Sequence, residues 1–316
     1  MKPAVLIIDG DMYLHRCLHT SQLRKFKTRE GIRTGILYGV LNSVFRLIQT
    51  FDQHEISSVY FLLSTGTSFR TKIDPKYKFK EQKDKDIWNE HDEDLGCSLG
   101  VFYQEQKNLV RELLPLFGIK VFWEDTFEAD DIASFLSQMN LFGKRKILVS
   151  DDYDWCQLVS EESDIFRATK EQYITLENFQ EHLGLQTPKH FCYYLSIIGG
   201  HDNIPGALKG FGEVGAKKML SSLEECSTSS ISNWASKQTG KAKGFLDETT
   251  IQRLETNIKL VDLLSVEFTP ELRSRTKSIL LEKLEYNNNL IVETLQKYEF
   301  SSFSHLVDSE VIRRLF

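Results

Sequence analysis

The chain has 316 residues and a formal net charge of −6, with 41% hydrophobic and 27% charged residues. This is the composition of a globular protein, and no apolar stretch approaches the roughly 20 residues that cross a bilayer, which argues against a membrane-spanning protein. The five cysteines are scattered and never in Cys-x-x-Cys spacing. A disulfide framework or zinc site is therefore disfavoured, and with no signal-peptide layout at the first residues we expect a cytoplasmic location.

Strand-like and helical patterns alternate through the first half of the chain. The strand candidates are AVLII at 4–8, SSVYFLL at 57–63, IKVFW at 119–123, RKILVSDD at 145–152, DIFRA at 164–168 and YITL at 173–176. Helical apolar spacing covers 34–51 and 103–117, and a third helix opens within TFEADDIASF at 126–135. This alternation predicts an α/β fold with a mostly parallel, doubly wound sheet, whose edge strands are the last two candidates.

The second half of the chain is predicted to be helical. Helical patterns cover 187–198 and 247–264, and a Gly-rich segment between them opens a further helix at about Glu213. The polar and basic stretch at 227–244 is predicted to be a surface loop.

Acidic residues gather where the predicted strands end. Asp9 ends the first strand, Asp152 and Asp154 follow KILVS, and Asp202 lies in the Gly-rich segment; Glu128, Asp130 and Asp131 open the helix after IKVFW. Taken singly, these acids fit turns, or a helix cap in which Asp125 is the N-cap and Glu128 its capping-box partner. Taken together, carboxylates at one sheet edge repel one another unless a cation neutralises them, which favours a site for one or two Mg²⁺ or Mn²⁺ ions.

A basic strip lies between residues 70 and 85, which contain seven lysines and arginines but only three acids. A strip of this kind binds nucleic acid or is simply a solvated helix surface.

Six segments resemble the 5′ nucleases, or flap endonucleases, and most closely the 5′–3′ exonucleases of tailed phages. They are LIIDGDMYLHR, SFRTKIDPKYKFKEQK, FEADDIA, LVSDDYDW, GGHDNIPG and GFGEVGAKKML, in the family's order. The resemblance implies a PIN-like nuclease domain at 1–185 with a helical arch at about 78–100. It further implies a helix-hairpin-helix-type DNA-binding subdomain (helix-3-turn-helix) at 186–265, and a C-terminal segment at 266–316 that packs back on the nuclease domain.

The resemblance also implies roles for single residues in the hydrolysis of DNA at 5′ ends or flaps. Asp9, Glu128, Asp130 and Asp131 correspond to ligands of one metal, and Asp152, Asp154 and Asp202 to ligands of a second. Lys78 corresponds to a lysine that contacts the scissile phosphate, with Arg70 as a further phosphate partner. The residues implied in DNA binding are Lys83, Lys209, Gly210, Gly212, Gly215, Lys217 and Lys218. The glycines among them form a hairpin that could bind a monovalent cation such as K⁺. We expect a monomer.

Three positions depart from the family pattern. Ser64 or Thr65 stands where an Asp is usual, Gly199 stands for the first Asp of the Gly-rich segment, and Glu81 replaces an Arg. Asp11, Asp151 or His201 could compensate. Two alternatives to a DNA nuclease therefore stay open: a structure-specific DNA-binding protein with weak or lost hydrolysis, and an RNA-cutting relative.

Overall fold

A six-stranded sheet forms the centre of the computed structural model, which describes residues 3–79, 82–93, 95–141, 143–200, 202–307 and 309–316. The strands are β1 (Ala4–Asp9), β2 (Ile56–Ser64), β3 (His91–Asp92), β4 (Cys97–Ser98), β5 (Ile119–Glu124), β6 (Arg145–Val149), β7 (Ser163–Arg167) and β8 (Gln172–Ile174). The main sheet has the order β5-β2-β1-β6-β7-β8, while β3 and β4 pair separately. Only β8 of the main sheet runs antiparallel to its neighbour. The predicted α/β fold and its mostly parallel sheet are confirmed. Of the two predicted edge strands, β8 lies at an edge, but β7 lies between β6 and β8, and the opposite edge is formed by β5.

Helices cover both faces of the sheet. The α-helices of the described residues are α1 (Gly10–Leu18), α2 (Ser21–Arg24), α3 (Gly35–Thr50), α4 (Gln82–Asn89), α5 (Leu99–Leu113), α6 (Ala129–Gln138), α7 (Phe179–Leu183), α8 (Pro188–Ile198), α9 (Glu213–Leu220), α10 (Thr228–Ser236), α11 (Glu248–Val261), α12 (Pro270–Leu281), α13 (Asn288–Lys297) and α14 (Glu310–Arg313). Short 3₁₀ helices lie at Asp52–His54, Phe69–Lys72, Leu114–Phe117, Tyr153–Leu158, Gly240–Leu246 and Ser301–Leu306. None of the described helices is both long and apolar enough to cross a membrane.

Alternate residues of β1 enter two hydrophobic cores on opposite faces of the sheet, which explains its continuous apolar run. Leu6 and Ile8 lie in a core with α3, α5 and the C-terminal residues around Phe303. Val5 and Ile7 lie in a core with α6, α8, α9 and α11. Because helices α8, α9 and α11 share this second core, it holds them against the sheet. The domain boundaries themselves stay a prediction.

Two local predictions were wrong. The stretch at 227–244 is not a loop: α10 covers much of it, because the Ser227 hydroxyl caps its first turn and Ile231 and Ala235, four residues apart, are buried. Helix α5 begins four residues earlier than predicted because the Ser98 hydroxyl accepts the Val101 N–H. It gives way to a 3₁₀ turn at Leu114, since Pro115 has no N–H to continue it.

Candidate active site

Three strand ends bring polar side chains to the carboxyl edge of the sheet. Asp9 ends β1, Ser64 ends β2, and Ser150 follows β6. The Asp9 carboxylate is buried, where it accepts the Met12 N–H at 3.0 Å and the Ser150 hydroxyl at 2.8 Å. Asp9 therefore caps α1 and points along the same edge as the residues after β6.

The start of α6 supplies the second group of acids. Its N-cap is Glu128, and the Asp131 side chain accepts the Glu128 N–H at 2.9 Å, so the two form a capping box. The expected cap by Asp125 was therefore wrong by three positions. Asp130, between them, faces the sheet edge and accepts the indole N–H of the fully buried Trp155 at 2.6 Å. The cap orients Glu128 and Asp131. Asp130 is held instead by the indole of Trp155, to which the sequence analysis gave no role.

Cationic and phenolic side chains meet the Glu128 carboxylate. The Lys78 ammonium lies 2.5 Å from its Oε1, and Oε2 accepts the Tyr77 hydroxyl at 2.9 Å and the Arg70 Nη1 at 3.2 Å. These contacts account for both carboxylate oxygens. Lys78 stands at the site as the sequence suggested, and Tyr77, directly before it, is an additional site residue.

Arg70 does not stand where a phosphate could reach it, contrary to expectation. Its side chain is 2% exposed and forms a two-pronged contact with Asp131 at 2.7 and 2.9 Å, while its Nε donates to the Leu260 carbonyl at 2.7 Å. The guanidinium is thus fully used in neutralising α6 and linking it to the end of α11. Asp131, which is fully buried against Arg70, belongs to the same structural contact.

The remaining acids border a cavity of about 540 Å³ beside the sheet edge. Asp152, Asp154 and Asp202 line it together with Asp151 and Glu213. Asp152 caps the following 3₁₀ helix by accepting the Asp154 N–H at 2.9 Å. Asp202 lies 3.6 Å from the Lys78 ammonium. The structure therefore brings the three acids predicted for a second metal to one opening.

Burial and neighbouring charges raise the pKa values of two acids at this edge. Burial, with a further contribution from Asp11 and Asp152, raises the pKa of Asp9 to about 7. Burial and the charges of Asp152 and Asp9 raise the pKa of Asp130 well above its ordinary value. The ammonium of Lys78 keeps its proton, since Glu128, Asp130 and Asp202 raise its pKa despite burial. Asp9, Asp130 and Asp152 thus share one field of negative charge.

Oxygen donors that repel one another fit a hard divalent cation, whose charge removes the repulsion. Within the described part of the chain, no three Asp, Glu, His or Cys side chains already stand as a ligand set. The carboxylates of Asp9, Asp130 and Glu128 are oriented by hydrogen bonds to Met12, Ser150, Trp155 and Lys78. Asp9, Asp130 and Asp152 are the residues best placed to hold a cation.

Asp11 lies at the end of β2, next to Ser64, which stands where the family pattern has an Asp. Its Oδ2 accepts the Ser64 N–H at 2.6 Å, and its Oδ1 binds the Lys107 ammonium at 2.8 Å. Lys107 also donates to the Ser64 carbonyl at 2.6 Å. A carboxylate therefore stands at this strand end, supplied by α1 and already paired with a lysine. The sequence singled out Asp11, but Lys107 was missed because it looks like one surface lysine of α5.

The structure gives different results for the other positions at which the sequence differs from the family pattern and for the residues that could compensate. Gly199 has φ +57°, and an added Cβ would lie 2.5 Å from the Ile204 carbonyl oxygen, so the backbone excludes a side chain there. Asp151 accepts the Thr169 N–H at 3.0 Å, lies 3.8 Å from Arg16 and also borders the cavity with Asp152, so its compensating role stays a prediction. Glu81 and His201 lie outside the described residues, and so does the side chain of Lys83 in α4.

The Gly-rich hairpin precedes α9 as expected. Gly210 has φ +77°, a Cβ on Gly215 would lie 3.1 Å from the Phe211 ring, and Gly212 caps α9. Lys209 and Lys218 are exposed, and Lys217 is half-buried with its ammonium 5.3 Å from the Tyr194 ring. The hairpin borders a surface cavity of about 550 Å³. Lys209 borders this cavity, whereas Lys217 borders the acidic cavity beside the sheet edge.

Comparison with known proteins gives concordant results. Residues 4–184 match the family model described as the 5′-3′ exonuclease, N-terminal resolvase-like domain. The 5′-3′ exonuclease of Buchnera aphidicola subsp. Acyrthosiphon pisum is 30% identical over 213 residues, which cover 65% of this chain and 66% of that protein. DNA polymerase I of Mycobacterium tuberculosis is 28% identical over 225 residues, covering 69% of this chain but 23% of the polymerase.

A solved structure shows the same fold. The T5 5′-exonuclease with bound zinc superimposes with a TM-score of 0.68 at 22% identity, covering 88% of this chain and 98% of that one.

Proposed function

Because the chain belongs to the 5′-3′ exonuclease family, we propose that it hydrolyses phosphodiester bonds of DNA at 5′ ends or at single-strand/duplex junctions and leaves 5′-phosphates. The observation that carries this proposal is the gathering of three acids at the carboxyl edge of the sheet. The Asp9 carboxylate and the Asp152 N–H both bind the Ser150 hydroxyl, and Asp130 is held beside them by Trp155. A protein that only binds DNA gains nothing from acids that repel phosphates. A hydrolase gains cation sites from them.

Mg²⁺ or Mn²⁺ held by these acids would neutralise the scissile phosphate and lower the pKa of a water molecule. The protein's own groups do the rest. Lys78 supplies a positive charge that a phosphate can share with Glu128, and the Tyr77 hydroxyl holds that carboxylate in place. Asp11 stays with Lys107 at the end of β2, so it contributes little unbalanced charge. One ion at Asp9, Asp130 and Asp152 is the minimal set, and a second would use Asp154 and Asp202.

Duplex DNA is proposed to lie along the Gly-rich hairpin. The α9 N-terminus offers free amides to a phosphate, and Lys209, Lys217 and Lys218 add charge whose contribution falls with salt. A K⁺ ion between the hairpin and a phosphate is part of this proposal. The free strand would pass the segment that begins at Lys78, the predicted arch. The monomeric state and cytoplasmic location remain predictions.

A junction-binding protein without hydrolysis is the second candidate. It is favoured by the pairing of Glu128 with Lys78, Asp131 with Arg70, and Asp11 with Lys107, since these contacts already neutralise three carboxylates. The two candidates differ in product formation rather than in binding.

The test is cleavage of a 5′-labelled flap duplex and a blunt duplex in parallel with Mg²⁺, Mn²⁺ and EDTA. Product that requires metal and comes from the 5′ side supports the nuclease, and the fragment length shows whether it acts as an exonuclease or an endonuclease. Tight flap binding with no product in either metal overturns the nuclease in favour of the junction binder. Cleavage of an RNA duplex but not of DNA would identify an RNA-cutting enzyme.

A further inference from the structure

Two segments that are distant in sequence meet at the base of the predicted arch. One is the turn at 76–79, which carries Lys78; the other is the segment at 202–206, which precedes the Gly-rich hairpin and carries Asn203. The Lys78 N–H donates to the Asp202 carbonyl at 2.9 Å. The Asn203 side-chain amide donates to the Phe79 carbonyl at 2.8 Å and to the Lys76 carbonyl at 3.3 Å. Three hydrogen bonds therefore fix the backbone on both sides of Lys78.

The backbone at this contact adopts unusual conformations. Lys78, Asp202 and Asn203 have φ values of +49°, +52° and +62°, a region that residues other than glycine rarely adopt. Asn and Asp tolerate it better than most residues, but lysine has no such advantage. The left-handed conformation at Lys78 therefore depends on the surrounding contacts. The Phe79 N–H closes the turn itself by donating to the Lys76 carbonyl at 3.1 Å, and the three hydrogen bonds above fix this turn to the loop of Asn203.

The loop that carries Asn203 is itself firmly held. The Gly200 N–H donates to the Ile204 carbonyl at 2.8 Å, and the Ala207 N–H donates to the Ile197 carbonyl at 2.9 Å. The side-chain amide of Asn257, a buried residue of α11, donates to the Pro205 carbonyl at 2.7 Å and the Ser196 carbonyl at 2.8 Å. Asn203 thus projects from a fixed support, while the turn it grips leads into the segment at 80–81, outside the described residues.

From this geometry we propose that Asn203 is a positioning residue for Lys78. The proposal rests on the proposed function, in which the Lys78 ammonium contacts the reacting phosphate. By holding the carbonyls of residues 76 and 79, the Asn203 amide keeps the Lys78 backbone in its left-handed conformation and its ammonium over Glu128. The same loop continues directly into the hairpin at 208–212. The proposed contact of the hairpin with duplex DNA and the position of Lys78 therefore depend on the same loop.

The test compares variants that remove the amide donor in two ways. Asn203→Gly accepts the positive φ and lacks the side chain, whereas Asn203→Asp keeps the shape and loses the N–H groups. The matched control is Asn178→Gly, which removes a side-chain amide that donates to the Tyr173 carbonyl at 3.0 Å at the far edge of the sheet. Each variant is measured by single-turnover cleavage of the flap duplex, by flap binding in EDTA and by thermal unfolding.

Both Asn203 variants should lower the single-turnover rate by about ten- to hundredfold, the loss expected from misplacing a reacting group. Their flap affinity should change less than about twofold, and Asn178→Gly should leave the rate unchanged. The decisive comparison is made in a Lys78→Ala background. There the Asn203 variants should have no further effect, because the residue they misplace is absent. An equal loss in the presence and absence of Lys78 would overturn the proposal.

Hydrogen exchange of the Lys78 amide separates this proposal from the proposed function. If the wild-type protein cleaves nothing, the nuclease assignment fails, but the contact can still be judged. Exchange of this amide should be at least about tenfold faster in both Asn203 variants than in the wild type and Asn178→Gly, since its acceptor loop is no longer fixed to the turn. Unchanged exchange would show that Asn203 does not hold the turn and would overturn the proposal on its own.

Discussion

Replacement of Arg70 by methionine distinguishes a structural guanidinium from one that binds phosphate. Arg70 is 2% exposed and its partner Asp131 is fully buried. Removing one member of a buried ion pair leaves an uncompensated charge, which costs about 3–5 kcal/mol. We expect Arg70→Met to lower the free energy of unfolding by this amount. The additional loss of the donor to the Leu260 carbonyl acts in the same direction.

The corresponding change in Tm follows from the size of the chain. With about 2.1 cal/mol/K of unfolding entropy per residue, 316 residues give about 0.7 kcal/mol/K, so Tm should fall by about 4–7 °C. Urea unfolding and thermal unfolding, both in EDTA, measure the change. Lys72→Met is the matched control: it removes an exposed cation two residues away in the same 3₁₀ helix and should cost less than about 0.5 kcal/mol.

A second substitution tests the cause. Asp131→Asn in the Arg70→Met background removes the orphaned charge but keeps an acceptor for the Glu128 N–H, and it should recover part of the lost stability. The reasoning fails if Arg70→Met unfolds within about 1 kcal/mol of the wild type and instead raises the KM for flap DNA. That result would return Arg70 to the phosphate-binding role that the sequence suggested.

Three further predictions concern the acids. Burial raises the pKa of Asp9 from 3.8 to about 7, so between these pH values the folded protein keeps a proton that the unfolded chain loses. In EDTA, the free energy of unfolding should therefore fall as the pH rises from about 4 to about 7. Asp9→Asn should flatten this fall, as measured by urea unfolding. Asp130→Asn with Asp152→Asn should abolish cleavage and the Mg²⁺- or Mn²⁺-induced rise in Tm, yet leave flap binding intact or tighter; unchanged cleavage would contradict the site. Lys107→Met should lower the free energy of unfolding by about 1–3 kcal/mol because Asp11 loses its cation. Adding Asp11→Asn should restore most of that loss. Equal stability of the wild type, the single variant and the double variant would show that the pair is not formed.

The sheet was predictable because its signal is local. Apolar runs bounded by polar residues fixed β1, β2 and β6, and the acids at their ends follow from the rule that parallel strands place their carboxyl ends on one edge. Helix α10 was missed because its apolar face is only Ile231, Trp234 and Ala235, within a stretch whose composition is that of a loop. Tertiary burial of that narrow face decides the structure.

The sequence predicted which acidic and basic residues lie at the site, but it did not predict which acid pairs with which base. Which acid meets which cation depends on contacts across long sequence separations, such as Arg70 with Asp131 and Lys107 with Asp11. Arg70 looks like any other member of the basic strip until its burial is known. Trp155 gives no sign in sequence that its indole holds Asp130. Only the folded chain shows that part of the basic strip serves the acids rather than DNA.

The glycine at position 199 limits how this site can change over generations. Its φ of +57° and ψ of −145° belong to a region that glycine alone occupies readily, and a Cβ would lie within 2.7 Å of three backbone atoms of the following turn. Restoring the family's acid here would displace the loop that carries Asp202 and Asn203. A carboxylate at this position therefore requires a second change in the turn at 204–206, so a single substitution of Gly199 cannot add a ligand to this centre.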